Sequence, residues 1–331
     1  MTQPTIVTEA PPRHDLYALI HKALRAAMAG SGPLVVMVHG FPESWYSWRH
    51  QIGPIAAAGF TACAVDVRGY GGSGKPHEIE AYDMAHMIAD VIAVADAVQP
   101  DAPAILIGHD WGAPIVWNTA LTRPGRIGAV AALSVPYTGV PERPFNEIFD
   151  ALFTKKNRFF YQAYFQKPGV AEAELEADPR RFLRCFLYAI SGDAKADSWP
   201  RDKTADAALL DGLEDPKVFP AWLSEADLDY YAGEFARSGL RGPINRYRNH
   251  ERDWRFLLPF KGQPIRQKAL FIAGDRDPAF NMFGGADPVP AMREAVPNLQ
   301  GVHVLPGCGH WTQQERPAEV TALLLDWLKA L

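Results

Sequence analysis

The stretch Ala104-Ile105-Leu106-Ile107-Gly108-His109-Asp110-Trp111-Gly112 governs how the rest of this chain is read. Four small or aliphatic residues, a glycine-flanked tripeptide and the apolar run 113–122 predict strand, sharp turn and helix in direct succession. A turn of that kind lifts its middle side chain clear of the strand end, and here that side chain is Asp110. No G-x-S-x-G occurs in the chain. A serine hydroxyl needs a general base before it attacks, and attack on saturated carbon would leave a stable ether. A free carboxylate, with a pKa of about 3.9, is already an anion at neutral pH. Its attack on an sp³ carbon gives an ester whose carbonyl belongs to the protein, and water can cleave that ester to regenerate the acid. The elbow therefore predicts displacement at carbon through a covalent ester, and it demands a base and an oxyanion site.

Outward from the elbow, short aliphatic runs at 34–38, 61–66, 129–134, 269–273 and 301–305 predict further strands. They lack polar alternation, as parallel strands covered on both faces do. Helical patterns lie between them, including 85–98 and the closing helix with Val320, Leu323, Leu324, Trp327 and Leu328 on one face. Strand signals stop between about residues 140 and 262, where aromatic and charged helical stretches predict an all-helical insertion. The chain thus divides into a first core part at 1–139, a helical cap or lid at 140–262 and a second core part at 263–331. Residues 16–29, rich in alanine, read as helix.

The base candidate is His310, in Gly307-Cys308-Gly309-His310-Trp311, just after the last predicted strand. Ligands of open α/β sheets meet the chain at such strand ends. Its orienting acid is assigned to Asp277 in Gly274-Asp275-Arg276-Asp277-Pro278, with Asp275 as the rival. The order Asp110, Asp277, His310 is that of nucleophile, acid and base in an α/β hydrolase. The oxyanion site maps to His39-Gly40-Phe41-Pro42, with the backbone N–H groups of Phe41 and Trp111 as donors.

The bulk properties exclude several other classes. The chain has 331 residues, 48% of them hydrophobic, and a net charge of −5. That charge offers no footprint for nucleic acid or an anionic membrane. No run of about eighteen apolar residues exists, and the N-terminus lacks a secretory pattern. Three cysteines without metal spacing fit a reducing cytoplasm. Gly69-Tyr70-Gly71-Gly72-Ser73-Gly74-Lys75 mimics a phosphate loop, but Pro76 follows and no helix starts at the glycines. His77-Glu78 opens a metalloprotease-like search that fails at Ala81. No metal or organic cofactor is expected.

The run His39-Gly40-Phe41-Pro42-Glu43-Ser44-Trp45-Tyr46-Ser47-Trp48-Arg49, with His109-Asp110-Trp111-Gly112, Asp66-Val67-Arg68-Gly69-Tyr70-Gly71 and Gly309-His310-Trp311, resembles the soluble-type epoxide hydrolases of the α/β-hydrolase superfamily. The resemblance covers the chain from about Pro33 to the C-terminus and implies an α/β-hydrolase fold, a mostly parallel sheet flanked by helices. It also implies a small apolar epoxide and water as reactants. Two cap tyrosines serve that family by holding and protonating the epoxide oxygen. The role falls on Tyr161 in Tyr161-Gln162-Ala163-Tyr164-Phe165-Gln166 and on Tyr247 in Asn245-Arg246-Tyr247-Arg248-Asn249, leaving Tyr164 structural. The nearest rival, haloalkane dehalogenase, shares the aspartate and the base but needs a second halide donor rather than paired phenols. A non-catalytic binding protein on the same fold is the rival of another class. An opening pair of strands is usual in the family, where the helical reading of 16–29 departs from it. Oligomeric state is left open, a homodimer included.

Overall fold

The computed structural model describes residues 6–7, 17–21, 24–195, 198–200, 202–281 and 287–331. Among them nine strands form one sheet in the order β1-β2-β3-β5-β4-β6-β7-β8-β9. These are β1 (Ile6–Val7), β2 (Tyr17–His21), β3 (Leu24–Ala29), β4 (Leu34–Val38), β5 (Thr61–Val65), β6 (Ala104–His109), β7 (Ile127–Leu133), β8 (Lys268–Gly274) and β9 (Leu299–Leu305). From β5 to β9 every pairing is parallel, and β1, β2, β3 and β5 pair antiparallel.

Both faces of the sheet are covered, which explains the unbroken apolar strands. Along β4, Val35 and Met37 join a core with Ile52 and Ile55 of α1 (Arg49–Ala57) and Leu324 and Trp327 of the C-terminal helix (Pro317–Lys329). Val36 and Val38, pointing the other way, pack with Met87 and Val91 of α2 (Met84–Val98) and Ile115 and Val116 of α3 (Gly112–Thr122). All five β4 residues are buried, so a polar residue on either face would lose its water without gaining a partner.

The helical reading of 16–29 is wrong: β2 and β3 occupy 17–21 and 24–29, with Leu16, Lys22 and Ala23 outside the described residues. Alanine favours helix only as a weak local prior, which tertiary pairing overrides. Residues 26–29 hydrogen-bond in register with 62–65 of β5, and the small side chains of Ala26, Ala27 and Ala29 suit a position covered on both faces. The opening strands of the family pattern are therefore present.

Between β7 and β8 the described residues hold helices and turns but no strand. The helices are α4 (Phe145–Leu152), α5 (Tyr161–Tyr164), α6 (Val170–Ala177), α7 (Pro179–Ala189), α8 (Glu225–Ser238), α9 (Arg241–Asn245) and α10 (His250–Leu257). Arg25 of β3 fastens this layer to the sheet, reaching Glu234 of α8 at 2.6 Å and the buried Asp66 at 2.5 Å. The glycine-rich segment 69–75 is a turn closed by the Gly69 N–H on the Gly74 carbonyl, with no helix at its glycines.

Candidate active site

Asp110 sits between β6 and α3 with φ +50°, a left-handed backbone rare for a side-chain-bearing residue. The turn is held by close packing: a Cβ on Gly112 would lie 2.0 Å from the Val38 carbonyl oxygen. Gly40 is equally constrained, because a Cβ there would lie 2.2 Å from Asp110 Oδ1. This proximity lets the Phe41 N–H donate to Asp110 Oδ1 at 2.8 Å. The other carboxylate oxygen faces His310 Nε2 at 3.4 Å. The Trp111 N–H, beside the elbow, donates to no protein acceptor among the described residues. Of the two expected backbone donors, only Phe41 thus touches the carboxylate in this state.

Asp277 and His310, far apart in sequence, meet at the ends of β8 and β9. His310 Nδ1 donates to Asp277 Oδ1 at 2.9 Å, and the Ala279 N–H reaches the same oxygen at 2.8 Å. Asp275, the rival acid, is exposed and accepts from the Gly307 N–H instead. Burial works against charge on Asp277, but His310 and hydrogen bonds from His310, Ser134 and Ala279 outweigh it and lower its pKa. Burial likewise works against charge on His310. The Asp277 carboxylate and the contact with Asp110 outweigh it and hold the imidazole well above its ordinary pKa.

Tyr161 begins α5, and Tyr247 lies in the 3₁₀ turn Arg246–Asn249, so both come from the helical layer over the sheet. Their rings meet at 5.7 Å and 78°. Tyr247 also packs edge-on against Trp111 at 5.2 Å and Phe41 at 5.5 Å, which seats it over both elbow and oxyanion turn. Gln162 Nε2 donates to the Tyr161 hydroxyl at 2.9 Å. Burial first, then the charge on Asp110, raises the pKa of Tyr161. Burial, Tyr161 and Asp110 do the same to Tyr247, so both phenols keep their protons at neutral pH. Tyr164 points elsewhere and donates to Glu174 at 2.7 Å.

Some site residues escape a reading by motif. His109, next to Asp110, has Nδ1 2.8 Å from Glu43 Oε2 and Nε2 2.7 Å from the His310 carbonyl oxygen. The ring thus bridges the Glu43 carboxylate and the loop that carries His310. Burial raises the Glu43 carboxyl, but His109 and further hydrogen bonds outweigh it and bring it down to about 2. Gln313 and Gln314 donate to its other oxygen at 3.0 and 3.2 Å. Arg246 covers the outer face of Trp111 at 4.3 Å, a cation–π contact at the pocket wall. Ser134, at the end of β7, touches both Asp277 and His310. Glu43 follows the oxyanion motif directly and carried a positional signal; Ser134 carried none.

An elbow aspartate between a backbone donor and a carboxylate–imidazole pair, set at the strand ends of a mostly parallel sheet, defines an α/β hydrolase fold. A family model described as the alpha/beta hydrolase fold matches residues 33–317. Epoxide hydrolase A of Mycobacterium tuberculosis is 43% identical over 93% of this chain and 94% of its own length. Among solved structures, an epoxide hydrolase from an endophytic Streptomyces superposes with a TM-score of 0.88 at 44% identity, covering 96% of each chain. Potato epoxide hydrolase I superposes with a TM-score of 0.85 at 31% identity, covering 96% of this chain and all (100%) of its own. The chain belongs to the α/β-hydrolase fold family, in its epoxide hydrolase branch.

Proposed function

We propose that this protein hydrolyses epoxides to vicinal diols through a covalent ester on Asp110. The observation that carries the reading is the carboxylate with one oxygen on the Phe41 N–H and the other facing His310, beneath two protonated cap phenols. In the first step, Asp110 Oδ2 attacks a ring carbon and the C–O bond breaks. Tyr161 and Tyr247 donate to the departing oxygen, which would otherwise be a poor leaving group. Oδ1 becomes the ester carbonyl, already seated on the Phe41 N–H, with the Trp111 N–H as the second donor once charge develops.

The second step needs a neutral imidazole, and the first step supplies it. Esterification removes the negative charge of Asp110, one of the two carboxylates that hold the extra proton on His310, and the imidazole gives up that proton, which balances the one the phenols pass to the ring oxygen. The ring then takes a proton from water at Nε2 while Asp277 holds Nδ1. Water adds to the ester carbonyl, and the tetrahedral oxyanion rests on the two N–H donors. Collapse breaks the ester C–O bond while His310 Nε2 returns its proton to the leaving diol oxygen, and the restored Asp110 carboxyl then ionises to His310. Residues 140–262 serve as the lid that carries both phenols and keeps bulk water from the ester.

A single turnover of styrene oxide with excess protein in ¹⁸O-water tests the reading. It predicts a vicinal diol without label and label in the peptide containing Asp110. Labelled diol would rule out the ester, and halide release from a haloalkane without any diol from the epoxide would move the protein to dehalogenation.

A further inference from the structure

Ser134 directly follows β7, where the chain leaves the sheet for the helical layer, and its backbone is unusual. Its φ is +76°, and the Val135 N–H donates to the Leu133 carbonyl at 2.9 Å, two residues back. Together these make a γ-turn of the rarer, strained hand, centred on a residue that is neither glycine nor asparagine. The Ser134 N–H remains in the sheet, donating to the Ile272 carbonyl at 2.9 Å. The strain therefore goes into aiming one side chain. That side chain is wholly buried, and its hydroxyl donates to Asp277 Oδ2 at 2.5 Å and lies 3.0 Å from His310 Nδ1.

The contacts around Asp277 show what this hydroxyl adds. Oδ1 accepts from His310 and from the Ala279 N–H, whereas among the described residues Oδ2 accepts from Ser134 alone. Other ionisable groups near the pair are Asp110 and His109 at the elbow, Tyr161 in the cap and Cys308 in the loop before His310. None of them donates to Oδ2, and Arg276 turns away to the Gly192 carbonyl. Without that donor one oxygen of a buried carboxylate is left unsatisfied, and Asp277 is held through Oδ1 alone. The imidazole then loses both its contact with the hydroxyl and the second anchor of the carboxylate that orients it.

We propose that Ser134 is a positioning residue for the ester-cleaving step, its hydroxyl fixing Asp277 and the imidazole of His310 in one orientation. The proposal rests on the two-step reading above. It concerns only the second step, because attack by Asp110 does not require His310 to act as a base. Removing the hydroxyl should slow ester cleavage by about 10- to 100-fold, the size expected for losing a charge-assisted hydrogen bond.

Two variants keep the test independent of folding. Ser134→Ala removes the hydroxyl and keeps the strained turn; Ser134→Gly removes the hydroxyl and relieves the turn. Both are expected to lower kcat about 10-fold or more with styrene oxide. Their kcat/KM, which reports the first step, should stay near that of the wild type, and the ester should accumulate on Asp110 by intact mass. A loss only structural in origin would lower kcat and kcat/KM together and would be milder in Ser134→Gly; that pattern, or wild-type kcat in either variant, overturns the proposal. Absence of the ester even from wild-type protein under rapid quench would instead count against the two-step reading itself.

Discussion

In the proposed reaction Tyr161 and Tyr247 give a hydrogen bond to an oxygen that gains charge as a ring opens. Burial and the neighbouring Asp110 carboxylate raise the pKa of both, so each remains a donor across the physiological range. The Tyr161 hydroxyl accepts from Gln162, a bond that does not use the phenol's own proton. Phenylalanine would therefore preserve the ring packing on Trp111, Phe41 and Phe165 while removing the donor. Tyr161→Phe and Tyr247→Phe should each cut kcat/KM for an epoxide by about 10²-fold, with the double variant lower still. Thermal unfolding should change little. Wild-type kcat/KM in both single variants would remove the phenols from the mechanism.

At the scale of elements, the sequence was legible where the local pattern and the fold agree. The run 104–112 reads as strand, elbow and helix because the apolar period changes on either side of two glycines, and β6 and α3 lie there. Asp277 could be chosen over Asp275 by its distance from the strand end, and it is the one that meets His310. The run 16–29 misled because alanine says little about its partner: β3 is held by pairing with β5, not by its own propensity. Ser134 was invisible for a related reason. It lies 143 residues from Asp277, and only the adjacency of β7 and β8 in the sheet brings the two together. The link from Glu43 through His109 to the His310 carbonyl joins three loops in the same way, and no local spacing encodes it.

For the molecule as a whole, those loops are tied through the buried Glu43 carboxylate and its hydrogen bonds, and this sets how stability depends on pH. Glu43, ordinarily near 4.5, is brought down to about 2 in the folded protein by His109 and its hydrogen bonds, which outweigh burial. A carboxyl whose pKa is depressed on folding contributes stability in full above its unfolded value. That contribution fades as pH falls from about 4.5 towards 2. Glu43→Gln should therefore lower Tm at pH 7, where losing a hydrogen bond to a buried charged group costs about 1.5–3 kcal/mol. The gap from wild type should close as the pH approaches 2. Thermal unfolding across that range checks this, and a gap that stays constant with pH would refute it. No helix of the described residues is long and apolar enough to cross a membrane. The helical layer between β7 and β8 is held to the sheet by Arg25–Glu234 and by Tyr247 packing on Phe41 and Trp111.

The central claim is that Asp110 becomes an ester which His310 then clears. Replacing His310 by glutamine leaves the elbow, the Phe41 donor and both phenols in place while removing the base. Intact-mass measurement of His310→Gln after exposure to styrene oxide should find the protein heavier by one substrate molecule, with the adduct on the peptide that carries Asp110. Protein that stays at its unmodified mass under conditions where the wild type turns over would contradict the account.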